Sequence, residues 1–450
     1  MRKTIILVLI AIALGAYVYF YEIKGGEERD KEKEIAEKLF NFEKDSVNYI
    51  NIKSPKGNFE FNKTMDGWQI EQPVKTLADN SPINSLLSSL STSKKERTIS
   101  IKPDEKNQFG LGFRAIHVSF KDKAGNENSI AIGDETNIGS NVYVSSTDTV
   151  VHLVGKGLKT NADKSLFDWR DKKAIHFEKN DIREFTLTNP EGRFTFAKEG
   201  SDWKIIKPIE TKAEKSTVDA VLNKLENGQI KSVVDEEGKN LSKYNLNRAA
   251  YSIELLSGVE KAKTTISFSE AKDNVAYGKD GVRPHIFTVD SNFVKPFNKD
   301  LFGFREKKIL DFDNNSVTRI NLSHNNEPMR FHKDTSDVWY LDSGEKAKKW
   351  KINSLLSTIK NLKAEKFVEE DPKYFMNYGL VNPESRIEIY GDDELIAELN
   401  LGYTKNGLVY AYNPNAKPLV AIKEDKLKEL FPPLKDMLEE VKPEEEEVTE

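Results

Sequence analysis

The sequence predicts an α+β protein: an N-terminal transmembrane helix followed by three tandem repeats, each a mainly antiparallel sheet with an amphipathic helix and a closing helix. Three observations carry this expectation. Landmark residues recur at intervals of 135, as between Arg170 and Arg305, Phe177 and Phe312, and Leu187 and Leu322. Each interval contains alternating apolar runs and one stretch with helical spacing. The chain opens on Arg2 and Lys3 and then an uncharged apolar run from Thr4 to Tyr21.

At about 1.5 Å rise per residue, a helix over Thr4 to Tyr21 spans the hydrocarbon core of a bilayer. Tyr17, Tyr19, Phe20 and Tyr21 fall where interfacial aromatics belong, and Arg2 and Lys3 favour a cytoplasmic N-terminus. A cleaved signal peptide is the rival, since Ala13, Gly15 and Ala16 supply small residues for a cleavage site. The apolar run continues past them into "YVYFY", which favours an uncleaved signal anchor. Residues 1–23 are therefore expected to be the membrane anchor and residues 24–38 a charged juxtamembrane linker. The rest of the chain is expected outside the cytoplasmic (inner) membrane, in the periplasm or its equivalent.

The three repeats are expected at residues 39–171, 172–306 and 307–440, which agrees with about three domains for 450 residues. Further landmarks keep the register. "DGWQIEQP" from Asp66 returns as "SDWKIIKP" from Ser201 and as "DVWYL" from Asp337. Leu111 in "FGLGF", Leu246 in "YNLNR" and Leu380 in "YGLVNP" hold corresponding places, as do Phe42, Phe177 and Phe312. Each copy opens on short runs of period two, such as "SVNYINIK", "GNFEFNK" and "GWQIEQ", which predict an antiparallel meander.

A helix is expected next. Ile83, Leu86, Leu87 and Leu90 make one apolar stripe, repeated by Val218, Val221, Leu222 and Leu225 and by Ile352, Leu355, Leu356 and Ile359. More strand-like runs follow, with Gly-rich and Asn-rich connections suited to hairpins. The closing helix is expected to end in "LFDWRDKK", "LFGFREKK" or "LFPPLKDM". Aligned this way, the third copy is shorter, because Leu111 to Leu166 and Leu246 to Leu301 each span 55 positions and Leu380 to Leu430 only 50. Pro432 and Pro433 then stand in the connector, and the array is expected to end there. The acidic tail, residues 441–450, is expected to be disordered.

Composition narrows the function. The 68 basic and 73 acidic residues nearly cancel and no basic stripe stands apart, so nucleic acid is not an expected partner. With no cysteine there is no disulfide, thiolate nucleophile or thiolate metal site. His117, His152, His176, His285, His324 and His332 include no pair with zinc-hydrolase spacing. "DFDNNS" from Asp311 has oxygen ligands at alternate positions, but Ser316 and Leu322 stand where a calcium loop needs glycine and glutamate, so a solvated turn is expected. Gly110 and Gly112 lack the third glycine of a dinucleotide fingerprint, and neither a P-loop nor a nucleophile elbow occurs. The repeated Trp68, Trp203 and Trp339 could stack on a glycan, but their fixed place on a short strand favours the core. No catalytic, cofactor-binding or metal-binding residue is nominated, and no cofactor is expected.

The succession W-x-I-x-x-P, striped helix and Y-G-L-x-x-P resembles a bacterial domain-of-unknown-function family, number 4340 in its naming series. Trp68 to Pro73, Trp203 to Pro208 and Tyr378 to Pro383 carry the likeness. Phe109 replaces the tyrosine in copy one, Asn245 replaces the glycine in copy two, and copy three lacks the proline after its tryptophan strand. The resemblance implies an extracytoplasmic accessory subunit beside ABC-type permease and auxiliary proteins of gliding-motility-like transporters, with the ATPase on a separate polypeptide. An envelope glycan or polymer receptor is the alternative, and an enzyme of unrecognised class the third reading.

Overall fold

The computed structural model describes residues 10, 12, 14–19 and 25–440. Most of the expected anchor and the whole acidic tail lie outside the described residues. Among those described, no helix is long and apolar enough to cross a membrane. The expected linker contains a helix, α1 (Gly25–Glu37).

Copy one shows how the sequence makes the sheet. Its strands are β1 (Val47–Ser54), β2 (Gly57–Thr64), β3 (Gly67–Gln72), β4 (Thr76–Leu77) and β5 (Arg97–Ser100). β6 (Ile116–Asp122), β7 (Glu127–Glu135), β8 (Asn141–Ser145) and β9 (Val150–Gly155) complete it. The order is β4-β3-β2-β1-β6-β7-β8-β9-β5, with antiparallel neighbours throughout. Alternation puts Ile50, Ile52, Phe59, Phe61, Val118 and Phe120 in the core and leaves Asn51, Lys53 and His117 on the solvent side.

Helix α2 (Asn80–Thr92) covers the apolar face. The Asp79 carboxylate accepts from the Ser81 N–H at 2.8 Å and caps it. All four residues of its stripe are buried, as are those of the counterpart helices Lys215–Asn227 and Lys349–Lys360. Trp68, Trp203 and Trp339 are each at most 4 % exposed, so the tryptophans belong to the cores.

The second copy has nine strands in the corresponding order, and the third has eight, with an isolated bridge between Tyr340 and Lys346 in place of β4. The chain divides into two compact units, residues 1–176, 225–249 and 266–293, and residues 177–224, 250–265 and 294–450. Gly110, Asn245 and Gly379 end corresponding helical turns in the left-handed region, with φ of 68°, 56° and 72°. Asparagine tolerates that conformation better than other side chains, which accounts for the one departure from glycine.

The closing element differs from expectation. It is two short helices, α3 (Gly157–Ala162) and α4 (Leu166–Trp169), and the residues after Trp169 are extended. Ser165 and Asp168 start α4 through reciprocal capping bonds, and Arg170 ends it in the extended region. The third copy is not shortened as its letters imply. Backbone pairing of Ala78 with Arg170 and of Ala213 with Arg305 is matched by Ala347 with Leu438. Leu434, not Leu430, is thus the counterpart of Leu166, and buried Met437 takes the place of Trp169 and Phe304. The repeated letters "LF" at 430–431 fixed the wrong register. Pro432 and Pro433 precede the last helical turn, Leu434–Met437, rather than replacing the connector.

Candidate functional site

The most consistently built feature is the connector between copies. After α4 the chain runs extended and pairs on both sides. On one side the Asp79 N–H donates to the Trp169 carbonyl at 2.8 Å and the Asp171 N–H to the Leu77 carbonyl at 3.0 Å. On the other, the Ala174 N–H donates to the Gly228 carbonyl at 3.0 Å and the Ile230 N–H to the Lys172 carbonyl at 2.8 Å. The next joint repeats this pattern. Glu214 and Glu306 pair with Phe304 and Lys212, and Ala364 and Ile309 pair with Lys307 and Leu362.

The two ends of the described chain keep one half each. Leu39 and Lys95 donate to the carbonyls of Ser93 and Glu37, and Lys348 and Glu439 donate to those of Met437 and Lys346. Backbone pairing of this kind satisfies groups that a free linker leaves to water. The connector is a splice, and "FREKKILDFDNNS" and "WRDKKAIHFEKND" resemble each other because both must make it.

A buried arginine marks each joint. Arg170 is 1 % exposed, and its Nη2 donates to both Glu236 carboxylate oxygens at 2.8 Å. Its Nε and Nη1 meet no protein acceptor among the described residues. Arg305 is engaged more fully, with Nη1 and Nη2 on the Glu370 carboxylate at 2.5 and 2.8 Å and Nε on the Thr211 hydroxyl at 3.2 Å. Its guanidinium carbon lies 3.8 Å from the centre of the Phe367 ring. Neither end of the array has this pair. Ile35 and Ile101 stand 135 positions before Arg170 and Glu236, and Leu438 takes the arginine place at the other end.

The first joint also holds Arg283, His285, Asp171 and Asp280. Arg283 donates to the Ala174 carbonyl at 2.6 Å and pairs with the Asp280 carboxylate. Burial, with the Arg283 and Arg170 charges adding to it, lowers the His285 pKa to about 4, so its ring is neutral near pH 7. Burial pushes the Asp171 carboxyl up, but the hydrogen bond and charge from His176, the Lys173 N–H and Arg283 outweigh it and leave its pKa lowered. His176 itself is a largely exposed side chain 2.5 Å from Asp171.

Asp313 caps the turn Asn314–Ser316 ahead of a strand, as a solvated turn should. Among the described residues no group of three or more histidine, aspartate or glutamate side chains is placed to hold a metal ion. Sequence reasoning found Arg170 and Arg305 as landmarks but missed Glu236 and Glu370. Their signal was available, since they lie 134 apart, each just past the short strand after the striped helix.

What varies between copies is the solvent side of the sheet. In copy three Asn321 and Tyr390 both donate to Glu388 at 3.1 Å, Asn400 donates to Glu398 at 2.8 Å, and Arg319 lies 4.2 Å over the Tyr390 ring. In copy two Glu254 occupies the place of Glu388 and pairs with Lys263 at 2.6 Å. In copy one that place is Ser119, with Asn51 and Ser129 across from it.

One family model matches the chain, three times in succession, over residues 68–207, 203–351 and 339–441. No curated protein and no solved structure matches it. Each match begins at a repeated tryptophan, the same landmark that sets the period. With nearly all of the chain after residue 67 covered, it belongs to the family described as Domain of unknown function (DUF4340), in three tandem copies.

Proposed function

We propose that this protein is a membrane-anchored, extracytoplasmic interaction subunit, non-enzymatic, that serves as an auxiliary component of an ABC-type transport complex. The observation that supports this reading is the pattern of sameness and difference among the copies. Core residues and joint pairings recur, while the solvent-facing residues of the three sheets differ in charge and hydrogen-bonding capacity. A scaffold that keeps its fold and diversifies its faces suits binding to more than one partner surface. The apolar run Thr4 to Tyr21, with Arg2 and Lys3 before it, supports an anchor that leaves the repeats outside the cytoplasm.

The test is purification of the full chain from membranes in mild detergent, with mass spectrometry of what accompanies it. Permease and ATPase subunits in stoichiometric amount are expected. Their absence, or a C-terminal reporter fusion active only in the cytoplasm, overturns the proposal.

A further inference from the structure

We propose that copy one carries a binding site for an anionic saccharide on the solvent side of its sheet, centred on Lys53 and His117. The inference goes beyond the interaction role above and does not rest on it, because it comes from one copy's surface chemistry alone.

Two clefts of about 420 and 410 Å³ lie on this surface, and Lys53 and His117 line both. They form one trough across neighbouring strands. Lys53 faces His117 and His117 faces Ala131 in register, and the adjacent row is Asn51, Ser119 and Ser129. Three successive strands at about 4.8 Å spacing make it roughly 10 Å across. One end is lined by Arg114 and Phe113, the other by hydroxyls that include Ser146 and Thr147.

The charge is unbalanced. Lys53 and His117 make no ion pair among the described residues, and Arg114 packs only over the Phe113 ring, 5.3 Å from its centre. No carboxylate lines the first cleft, and the single one in the second, Asp148, is already paired with Lys106. The other copies show the alternative. The position of His117 is Ser252 in copy two and Arg386 in copy three, and Arg386 is met by Glu388 at 3.5 Å. The serine at 119 is a glutamate in both other copies. At these positions copy one sets Lys53 and His117 beside a row of small hydroxyl and amide groups, with no glutamate at 119 to neutralise the lysine.

That chemistry fits a sugar chain bearing carboxylates better than an acidic peptide. The trough crosses interior strands of the sheet, so no free backbone edge is offered to an extended peptide. Asn51, Ser119, Ser129 and Thr147 supply short donors and acceptors that match ring hydroxyls, and Lys53, His117 and Arg114 meet the anionic groups. Phe113, 90 % exposed at the lip, offers a flat apolar face to a sugar ring. Its counterparts, Arg248 and Asn382, cannot.

The test is calorimetric titration of the full chain in detergent with hexagalacturonate, neutral maltohexaose and hexa-aspartate as probes. Hexagalacturonate is expected to bind and maltohexaose to bind at least tenfold more weakly. Lys53→Ala and His117→Ala should each weaken hexagalacturonate at least fivefold, and Phe113→Ala at least twofold. Lys263→Ala, on the neutralised face of copy two, should change nothing. All four side chains are exposed or half-buried, so unaltered near-ultraviolet circular dichroism confirms the fold of each variant. No binding of hexagalacturonate, or binding indifferent to Lys53→Ala, overturns the proposal. Hexa-aspartate binding as tightly as hexagalacturonate also overturns it, in favour of an acidic peptide partner.

Discussion

Removing the carboxylate at the second joint, by Glu370→Gln, asks how much the arginine pair holds. Arg305 is 4 % exposed in its side chain, whereas Glu370 is 52 % exposed. A fully buried pair broken from one side costs about 3–5 kcal/mol, and an exposed one about 0–1 kcal/mol. The half-solvated carboxylate places this joint between them, so Glu370→Gln should cost about 1–2 kcal/mol. Arg305→Met should cost about 2 kcal/mol, because the Thr211 hydrogen bond and the Phe367 contact go with the charge. The double variant should cost less than the sum, with a coupling of about 1 kcal/mol. Native-state hydrogen exchange at the Ile309 and Ala364 amides reads this locally, and Glu370→Gln should speed exchange roughly tenfold. Unchanged exchange in all three variants, or strict additivity, would refute the view that the pair secures the joint.

Further outcomes follow from burial. Trp203→Ala should cost about 3–5 kcal/mol, since the ring is buried and packs edge-on against Phe185, with centres 5.3 Å apart. In acrylamide quenching, Trp350, 64 % exposed, should account for nearly all accessible emission, so Trp350→Phe should leave a resistant spectrum. His285 should make stability pH-dependent in a defined window. Its folded pKa of about 4 lies below the unfolded 6.5, so the unfolded chain binds the proton more readily. Stability is whole above pH 6.5 and falls as pH drops towards 4, by about 2 kcal/mol between pH 7 and 5. His285→Gln should flatten that slope in urea titrations, and an unchanged slope would remove His285 as its source.

The period, the striped helices and the buried tryptophans were legible in the sequence because each depends on local spacing. Ile83, Leu86, Leu87 and Leu90 needed only the helical repeat to be placed on one face. The pairing of β1 with β6 and of β5 with β9 joins strands far apart in sequence, and no local pattern records which edge a strand will meet. The third closing element failed for a different reason. Letter similarity favoured Leu430 and Phe431, whereas the register is set by backbone bonds at Ala347 and Leu438 that any residue can make. Glu236 and Glu370 escaped notice because, among 73 acids, their spacing of 134 stands out only once the arginines they meet are known. Lys53 and His117 were unremarkable for the same reason, since facing each other across two strands is a fact of register.

Limited trypsin digestion of the native full chain tests the splice most directly, because the joints are dense in cleavage sites at Arg170, Lys172, Lys173, Arg305, Lys307 and Lys308. Two-sided backbone pairing predicts that these bonds resist while exposed loops elsewhere are cut, so that the first fragments end outside both joints. First cuts at Lys172, Lys173, Lys307 or Lys308 that release single repeats would contradict it and make the connectors flexible linkers.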